Sequence, residues 1–145
     1  NPKCGERIFV FRGYQDDFAY AIQMASDFYM MPSRFEPCGL TQMEAMAKGA
    51  LPVAMSTGGL VDTIENGVDG FRTEVFFYGN NLTAQRLKNN TNAYAETLCK
   101  ALETFYCHFD KIRRMTVNAM RKDFSWDVEG GSIYKYRQLF KTGHL

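Results

Sequence analysis

Short apolar runs that alternate with helix-like segments are the feature that most restricts the fold of this chain. Four runs have the length and composition of buried strands, and they lie at 7–13 (RIFVFRG), 28–31 (FYMM), 51–55 (LPVAM) and 70–75 (GFRTEV). Three segments with helical spacing separate them, at 16–26, 41–48 and 58–64. Because strands that alternate with helices form βαβ units, the sequence predicts an α/β fold with a partial doubly wound, Rossmann-like parallel sheet.

The helical segments carry further signals. The first is predicted to present one apolar face, formed by Phe18, Ala21, Ile22 and Ala25. The second is predicted to end at Gly49, a C′ glycine. The polar stretch within 76–92 indicates an exposed loop, and 93–120 indicate two helices with a break near His108. A last helix is expected from about Ser125, with its apolar positions at Tyr134, Tyr136, Leu139 and Phe140.

Composition places the chain among ordinary globular proteins. Hydrophobic residues make up 46% and charged residues 23%, and the net charge of +1 indicates neither a basic face for nucleic acid nor an acidic tail. The four cysteines show no C-x-x-C spacing, which argues against a zinc site and a disulfide framework. We expect no membrane span and a cytoplasmic location, or a plastid if a transit peptide has been lost. The first residue is Asn1 and not Met, which is compatible with a fragment and leaves a true short gene product open.

The stretch PSRFEPCGLTQMEAMAKG, residues 32–49, contains the first candidate ligand site. Its loop, 33–40, follows a predicted strand and precedes a helix, which places it at the carboxyl edge of the sheet, where open α/β sheets bind ligands. Gly39 allows close approach of the backbone, and unbonded N–H groups at a helix start attract anions. The carboxylate of Glu36 does not favour a phosphate beside it, but it can accept hydrogen bonds from sugar hydroxyl groups. Amides and carboxylates together are typical of a nucleotide-sugar site.

Each of these residues has a simpler interpretation. Thr41 to Glu44 match an S/T-x-x-E capping box, so Glu44 could close the helix start. Glu36 could be a solvated loop charge, which is the commoner position of a single glutamate. Cys38 has no basic neighbour in the sequence that would favour a reactive thiolate.

A second glycine-containing turn, Thr57-Gly58-Gly59, follows the next predicted strand. It could be a tight strand-to-helix connection with Thr57 as N-cap. Two such turns after successive parallel strands converge on one crevice, which favours a functional interpretation. From the residues alone, the sequence predicts an α/β domain that binds a phosphate or a sugar nucleotide.

The string from 32 to 64 closely resembles the nucleotide-sugar-binding domain of glycogen and starch synthases, which are retaining glycosyltransferases of the GT-B fold. SRFEPCGLTQ and TGGLVDT occur together at that family's spacing. The resemblance extends more loosely from 12 to 136, and 76–92 look like an insertion. It implies transfer of glucose from ADP-glucose or UDP-glucose to the non-reducing end of an α-1,4-glucan, with no metal and no other cofactor.

The resemblance also implies roles for residues of the first turn. Glu36 would be the catalytic residue, placed against the glucose hydroxyls where its charge favours a developing oxocarbenium ion. Cys38 and Gly39 would offer main-chain contacts to the sugar, and the amides of Leu40 and Thr41 would hold the diphosphate.

Two further positions concern the nucleoside. Glu36 and Glu44 match the E-x7-E signature of many retaining GT-B enzymes, whose second glutamate binds ribose, whereas many bacterial glycogen synthases carry Tyr there. Tyr14 would stack on the nucleobase, or would be an aromatic residue of the core. The full set of implied substrate-binding residues is Tyr14, Glu36, Cys38, Gly39, Leu40, Thr41, Glu44, Thr57, Gly58 and Gly59.

Parts of a complete synthase are missing from this sequence. The family has an N-terminal domain with a Lys-x-Gly-Gly-Leu loop, and two further strands with an Arg/Lys pair that clamps the diphosphate. The resemblance therefore implies an incomplete nucleotide-sugar-binding domain over 1–122 and a C-terminal helix over 123–145 that would cross to the absent domain. We expect the chain alone to be inactive and its sheet to have an exposed edge. The alternatives are another retaining GT-B transferase and a non-catalytic nucleotide-sugar-binding module.

Overall fold

Three parallel strands in chain order form the sheet of the described part of this protein. The computed structural model describes residues 8–13, 15–74, 83–129 and 131–142. The strands are β1 (Phe28–Met31), β2 (Leu51–Ala54) and β3 (Phe71–Arg72). Phe28 is in register with Leu51, and Val53 with Phe71. β2 is central and every one of its residues is buried, as expected for a strand with neighbours on both sides and helices over both faces. The predicted α/β class is confirmed.

The helices of the described residues lie between and after the strands. They are α1 (Asp16–Ala25), α2 (Leu40–Ala47), α3 (Gly59–Thr63), α4 (Ala84–Cys107), α5 (Phe109–Arg121) and α6 (Ser132–Thr142). Gly49 has φ +93° and follows the end of α2, so the predicted C′ glycine is confirmed. His108 has non-helical dihedral angles, which confirms the predicted break between α4 and α5.

The core is built around β2. Met46 of α2, Val53 of β2 and Met115 of α5 are buried together in one hydrophobic cluster. Ala101 and Ala119 are fully buried, and their small side chains let α4 and α5 approach the sheet closely. The hydroxyl group of Tyr94, on α4, donates a hydrogen bond to the carbonyl of Val53 at 2.9 Å. Burial raises the pKa of Tyr94 to about 12, so the phenol stays neutral.

An ion pair fixes the turn that precedes β3. Lys122, just after α5, lies 2.6 Å from a carboxylate oxygen of the buried Asp69. The other oxygen of Asp69 accepts a hydrogen bond from the N–H of Glu65 at 2.7 Å. Because the second oxygen is also satisfied, this buried carboxylate has partners on both sides and holds the entry to β3 in place.

The N-terminal part differs from its prediction. Residues 8–13 form no strand, so the prediction of a strand over 7–13 is wrong for the described part of it. A strand needs a hydrogen-bonded neighbour, and among the described residues β1 pairs only with β2. The rings of Phe9 and Phe11 instead contact Phe18 edge-on, at centroid distances of 6.1 and 5.1 Å. Ile22 and most of the predicted apolar face of α1 are exposed, although Phe9 and Phe11 contact the Phe18 ring.

Three further boundaries need correction. Residues 84–92, predicted as part of an exposed loop over 76–92, are the first turns of α4; the Thr83 hydroxyl caps this helix by accepting from the N–H of Arg86. The last helix begins at Ser132 and not near Ser125, because Ser125 bonds the carboxylate of Asp123 in a local turn. β3 covers only Phe71–Arg72 of the strand predicted over 70–75. Residues 75–82 lie outside the described residues.

Candidate functional site

The two glycine-containing turns after β1 and β2 interlock through their backbones. The N–H of Gly59 donates to the carbonyl oxygen of Glu36 at 2.8 Å. A Cβ added at Gly58 would lie 2.0 Å from that same oxygen, and a Cβ added at Gly59 would lie 2.3 Å from the carbonyl oxygen of Cys38. Both distances are far below a permissible contact, so only glycine allows this approach. The predicted convergence of the two turns at one edge of the sheet is confirmed.

The start of α2 settles the capping alternative. The N-cap is Gly39, with φ +75°, and no side chain caps the helix. The helix begins at Leu40, so Thr41 and Glu44 form no capping box; the Thr41 hydroxyl contacts the sulfur of Met31 at 3.7 Å instead. The first turn of α2 carries no acidic residue. Its N–H groups therefore form an anion-attracting end without a competing side-chain carboxylate within the turn.

Side chains of the glycine-containing turn after β1 are accessible at this edge of the sheet. Glu36 is half-buried and forms no ion pair with any described residue, and Cys38 is an exposed free thiol. Leu40 exposes 64% of its surface, whereas Gly39 beside it is buried. A half-buried carboxylate next to a bare helix end can accept hydrogen bonds from ligand hydroxyls while the amides meet an anionic group.

The second turn contains a buried hydroxyl without a partner. Thr57 is 2% exposed, and its Oγ1 makes no hydrogen bond with the described residues. The N-cap of α3 is Gly58 and no side chain caps that helix, so the interpretation of Thr57 as N-cap is wrong. Buried hydroxyl groups in native proteins usually have a partner, which makes this atom a candidate to meet a ligand group or a water molecule.

Gln42 connects the helices that follow the two turns, and sequence reasoning missed it. Its side chain is fully buried, and its Nε2 donates to the hydroxyl of Thr63 at 3.0 Å. That hydroxyl donates to the carbonyl of Gly59 at 2.7 Å. A Cβ added at Gly39 would lie 2.3 Å from Oε1 of Gln42, so the amide group lies directly against this glycine. The buried side chain of Gln42 thus fixes α2 relative to α3, the two helices that follow the turns.

Glu44 is exposed on α2 and has a neighbour that no sequence pattern indicated. Nε2 of Gln23, a buried residue of α1, donates to Oε2 of Glu44 at 3.4 Å. The same amide group donates to the carbonyl of Thr41 at 3.4 Å and accepts from the ammonium group of Lys48. Gln23 lies outside the predicted apolar face of α1, and a single polar residue in an amphipathic helix carries no signal of burial.

Tyr14 lies outside the described residues.

Within the described ranges, no cluster of three or more His, Cys, Asp or Glu side chains could hold a metal ion. Over the same part of the chain, no helix has the length and apolar character needed to cross a membrane.

Comparison with known proteins adds independent findings. The family model described as glycosyl transferases group 1 matches residues 2–104. Glycogen synthase 1 of Geobacter sulfurreducens is 34% identical over 138 residues, which covers 93% of this chain and 25% of that protein. The glycogen synthase of Desulfitobacterium hafniense is 35% identical over 136 residues, covering 94% and 27%.

Solved structures give a similar result. The catalytic domain of starch synthase IV from Arabidopsis thaliana, solved with bound ADP and acarbose, matches with a TM-score of 0.68 and 31% identity. The match covers 89% of this chain and 25% of that one. The chain thus spans about a quarter of the length of the relatives that it matches.

Proposed function

The chain belongs to the family of glycosyl transferases group 1, and from this premise we propose that it is the nucleotide-sugar-binding part of a glycogen or starch synthase. The proposed reaction transfers glucose from ADP-glucose or UDP-glucose to the 4-hydroxyl group at the non-reducing end of an α-1,4-glucan, with retention. It uses no cofactor besides the donor substrate. The proposed location is the cytoplasm.

The observation that carries the proposal is the interlocking of the two turns. The 2.8 Å bond from the N–H of Gly59 to the carbonyl of Glu36, and the close approach around it, require glycine at 58 and 59 and join that turn to the EPCG turn, residues 36–39. The half-buried carboxylate beside an uncapped helix start supports a ligand that has both hydroxyl groups and an anionic group. Relatives named glycogen synthase support the substrate class, and so does the structural neighbour, which was solved with ADP and acarbose.

The chemistry proposed for the site follows from its donors and acceptors. The N-terminal end of α2, with the amides of Leu40 and Thr41, would stabilise negative charge on the departing diphosphate. Glu36 would accept hydrogen bonds from the glucose hydroxyls and stabilise positive charge that develops at the anomeric carbon. Glu44 would accept from ribose hydroxyls. The Thr57 hydroxyl is a further candidate to meet the ligand, because it is buried without a partner among the described residues.

We further propose that this 145-residue polypeptide binds a nucleotide sugar but does not transfer glucose on its own. The acceptor and the remaining diphosphate contacts would come from another domain of the same enzyme. The exposed aromatic side chains of α6 support a docking role for 123–145, since Phe140 is 87% exposed and none of the described residues of α6 is buried.

Replacing Glu36 tests the proposal in the full gene product that carries this sequence. We expect Glu36→Gln to lower kcat for glucose transfer about 100-fold or more, because it removes a charge that acts mainly in the transition state. The affinity for ADP or UDP should change less than about threefold, since the diphosphate contacts remain. Both donors are assayed, with glycogen as acceptor and retention followed by NMR.

The matched control is Glu96→Gln, which changes an exposed glutamate on α4 and should leave transfer unaffected. Nucleotide binding by the wild type without transfer from either donor would contradict an enzyme and support the non-catalytic module. Wild-type turnover in Glu36→Gln would remove Glu36 from the catalytic role.

A further inference from the structure

Gln23 is a buried polar residue that the proposed reaction does not use, and its contacts converge on the site. Its amide group lies between Lys48 on one side and Glu44 and the carbonyl of Thr41 on the other. We propose that Gln23, held by Lys48, is a positioning residue that orients the Glu44 carboxylate and the first turn of α2 for the ribose of the nucleotide. This inference rests on the proposed function and assigns to it a residue from a different helix.

The chemistry of the partners fixes the orientation of the amide group. An ammonium group can only donate, so Oε1 of Gln23 must face Lys48. A carboxylate and a main-chain carbonyl can only accept, so the NH2 group must face Glu44 and Thr41, each at 3.4 Å. A flipped amide would place an oxygen against two acceptors and a donor against a cation. Only one orientation satisfies all three neighbours.

Lys48 is itself restrained. Its Nζ lies 4.4 Å above the centre of the Tyr20 ring, a cation–π distance, and Tyr20 and Gln23 both belong to α1. The ammonium group therefore stays on the α1 side of α2 and continues to hold Oε1 of Gln23. Because Gln23 is 3% exposed, water competes poorly for its amide group.

The two hydrogens of this NH2 group have separate consequences. One is donated to Oε2 of Glu44, while the second carboxylate oxygen accepts no hydrogen bond from a described residue, and Glu44 as a whole is exposed. The carboxylate is thus held by one oxygen and offers the other to a ligand hydroxyl group. The second hydrogen holds the carbonyl of Thr41, in the turn whose amides would meet the diphosphate. Gln23 thereby sets the ribose and diphosphate contacts relative to each other.

The test compares ribose recognition with overall affinity in the full gene product. Calorimetry gives the Kd for ADP or UDP, whichever binds, and for its 2′-deoxy and 3′-deoxy counterparts. We expect the wild type to bind the ribonucleotide about tenfold or more tightly than at least one of the two deoxy counterparts, as for a hydrogen bond to a charged group. Gln23→Leu, Lys48→Met and Glu44→Gln should each reduce that preference to about threefold or less. Lys48→Arg should keep the wild-type preference, because Arg can still donate to Oε1 of Gln23.

A matched control and a direct probe accompany these variants. Gln85→Leu removes an exposed glutamine whose amide, among the described residues, bonds only Asn89 of α4, and it should leave the preference unchanged. The side-chain amide signals of Gln23 in NMR spectra should move in Lys48→Met and in Glu44→Gln, whereas those of Gln85 should not. Gln23→Glu, which is isosteric, replaces Gln23→Leu if the leucine variant does not fold.

The possible outcomes separate the two proposals. If Glu44→Gln loses the ribose preference and Gln23→Leu keeps it, the positioning role is overturned and the proposed function is unaffected. If Glu44→Gln itself keeps the wild-type preference, the ribose role of Glu44 fails and the positioning role fails with it. Loss of the preference in all three variants with rescue by Lys48→Arg supports the inference.

Discussion

The strand β2 and the segment 8–13 have similar apolar composition and opposite environments. Every residue of β2 is buried, whereas Ile8 and Phe9 expose 67% and 78% of their surfaces. β2 has a hydrogen-bonded strand on each side and helices over its faces, while 8–13 form no strand and their Phe9 and Phe11 rings contact Phe18 of α1. The comparison shows that an apolar run becomes a strand only where neighbouring strands satisfy its backbone groups.

The largest effect on stability is expected from a cavity in the core at β2. Leu51→Ala should lower the free energy of unfolding by about 3 kcal/mol, because Leu51 is fully buried and its loss leaves a cavity. Ile8→Ala should change it by less than about 0.5 kcal/mol, as for an exposed side chain. Urea unfolding of both variants measures the difference. Equal losses in the two variants would show that 8–13 are buried in the folded protein in solution.

The interlocked turns offer the next test. Gly59→Ala should destabilise the protein by about 2 kcal/mol and weaken nucleotide binding, because its Cβ would lie 2.3 Å from the Cys38 carbonyl and the turns must separate. Gly67→Ala is the control, since an added Cβ there meets nothing within 4 Å. At φ +79° it costs only backbone strain of about 1 kcal/mol and should leave binding unchanged. Normal binding by Gly59→Ala would contradict the interlocked site.

A smaller effect is expected where α4 meets β2. Tyr94→Phe leaves the Val53 carbonyl without its hydrogen bond and should cost about 1 kcal/mol, whereas Tyr106→Phe, at a residue 79% exposed on the same helix, should cost almost nothing. Burial raises the pKa of Tyr94 in the folded protein to about 12, above the ordinary tyrosine value of 10.0. The contribution of its protonated phenol is therefore complete below pH 10 and is lost as the pH rises toward 12.

Denaturation curves between pH 8 and pH 11.5 provide the measurement. The stability difference between wild type and Tyr94→Phe should shrink above pH 10, and the difference between wild type and Tyr106→Phe should not. A difference that grows with pH would contradict a raised pKa for Tyr94.

Sequence reasoning was most successful where a pattern is local. β1, β2 and α2, with its C′ glycine, were predicted to within one residue, because apolar runs, helical spacing and Gly49 are signals that neighbouring residues carry. The two turns were predicted to converge because parallel strands end at the same edge. The failures lie at 8–13, at the starts of α4 and α6 and in the length of β3, where strand pairing or local side-chain hydrogen bonds decide the boundary.

The sequence by itself determined the α/β class, the family and the two turns that form the candidate site, since these depend on residue type and spacing along the chain. The tertiary structure alone decided that Gly58 and Gly59 contact the EPCG turn, and that Gln42 and Gln23 hold the site from two helices. The hydrogen bonds of these glutamines join residues 18 to 25 positions apart, and no pattern along the chain encodes which distant group will meet a buried amide. Such contacts arise only when the helices pack, because burial makes an unpaired amide costly and so selects the partners.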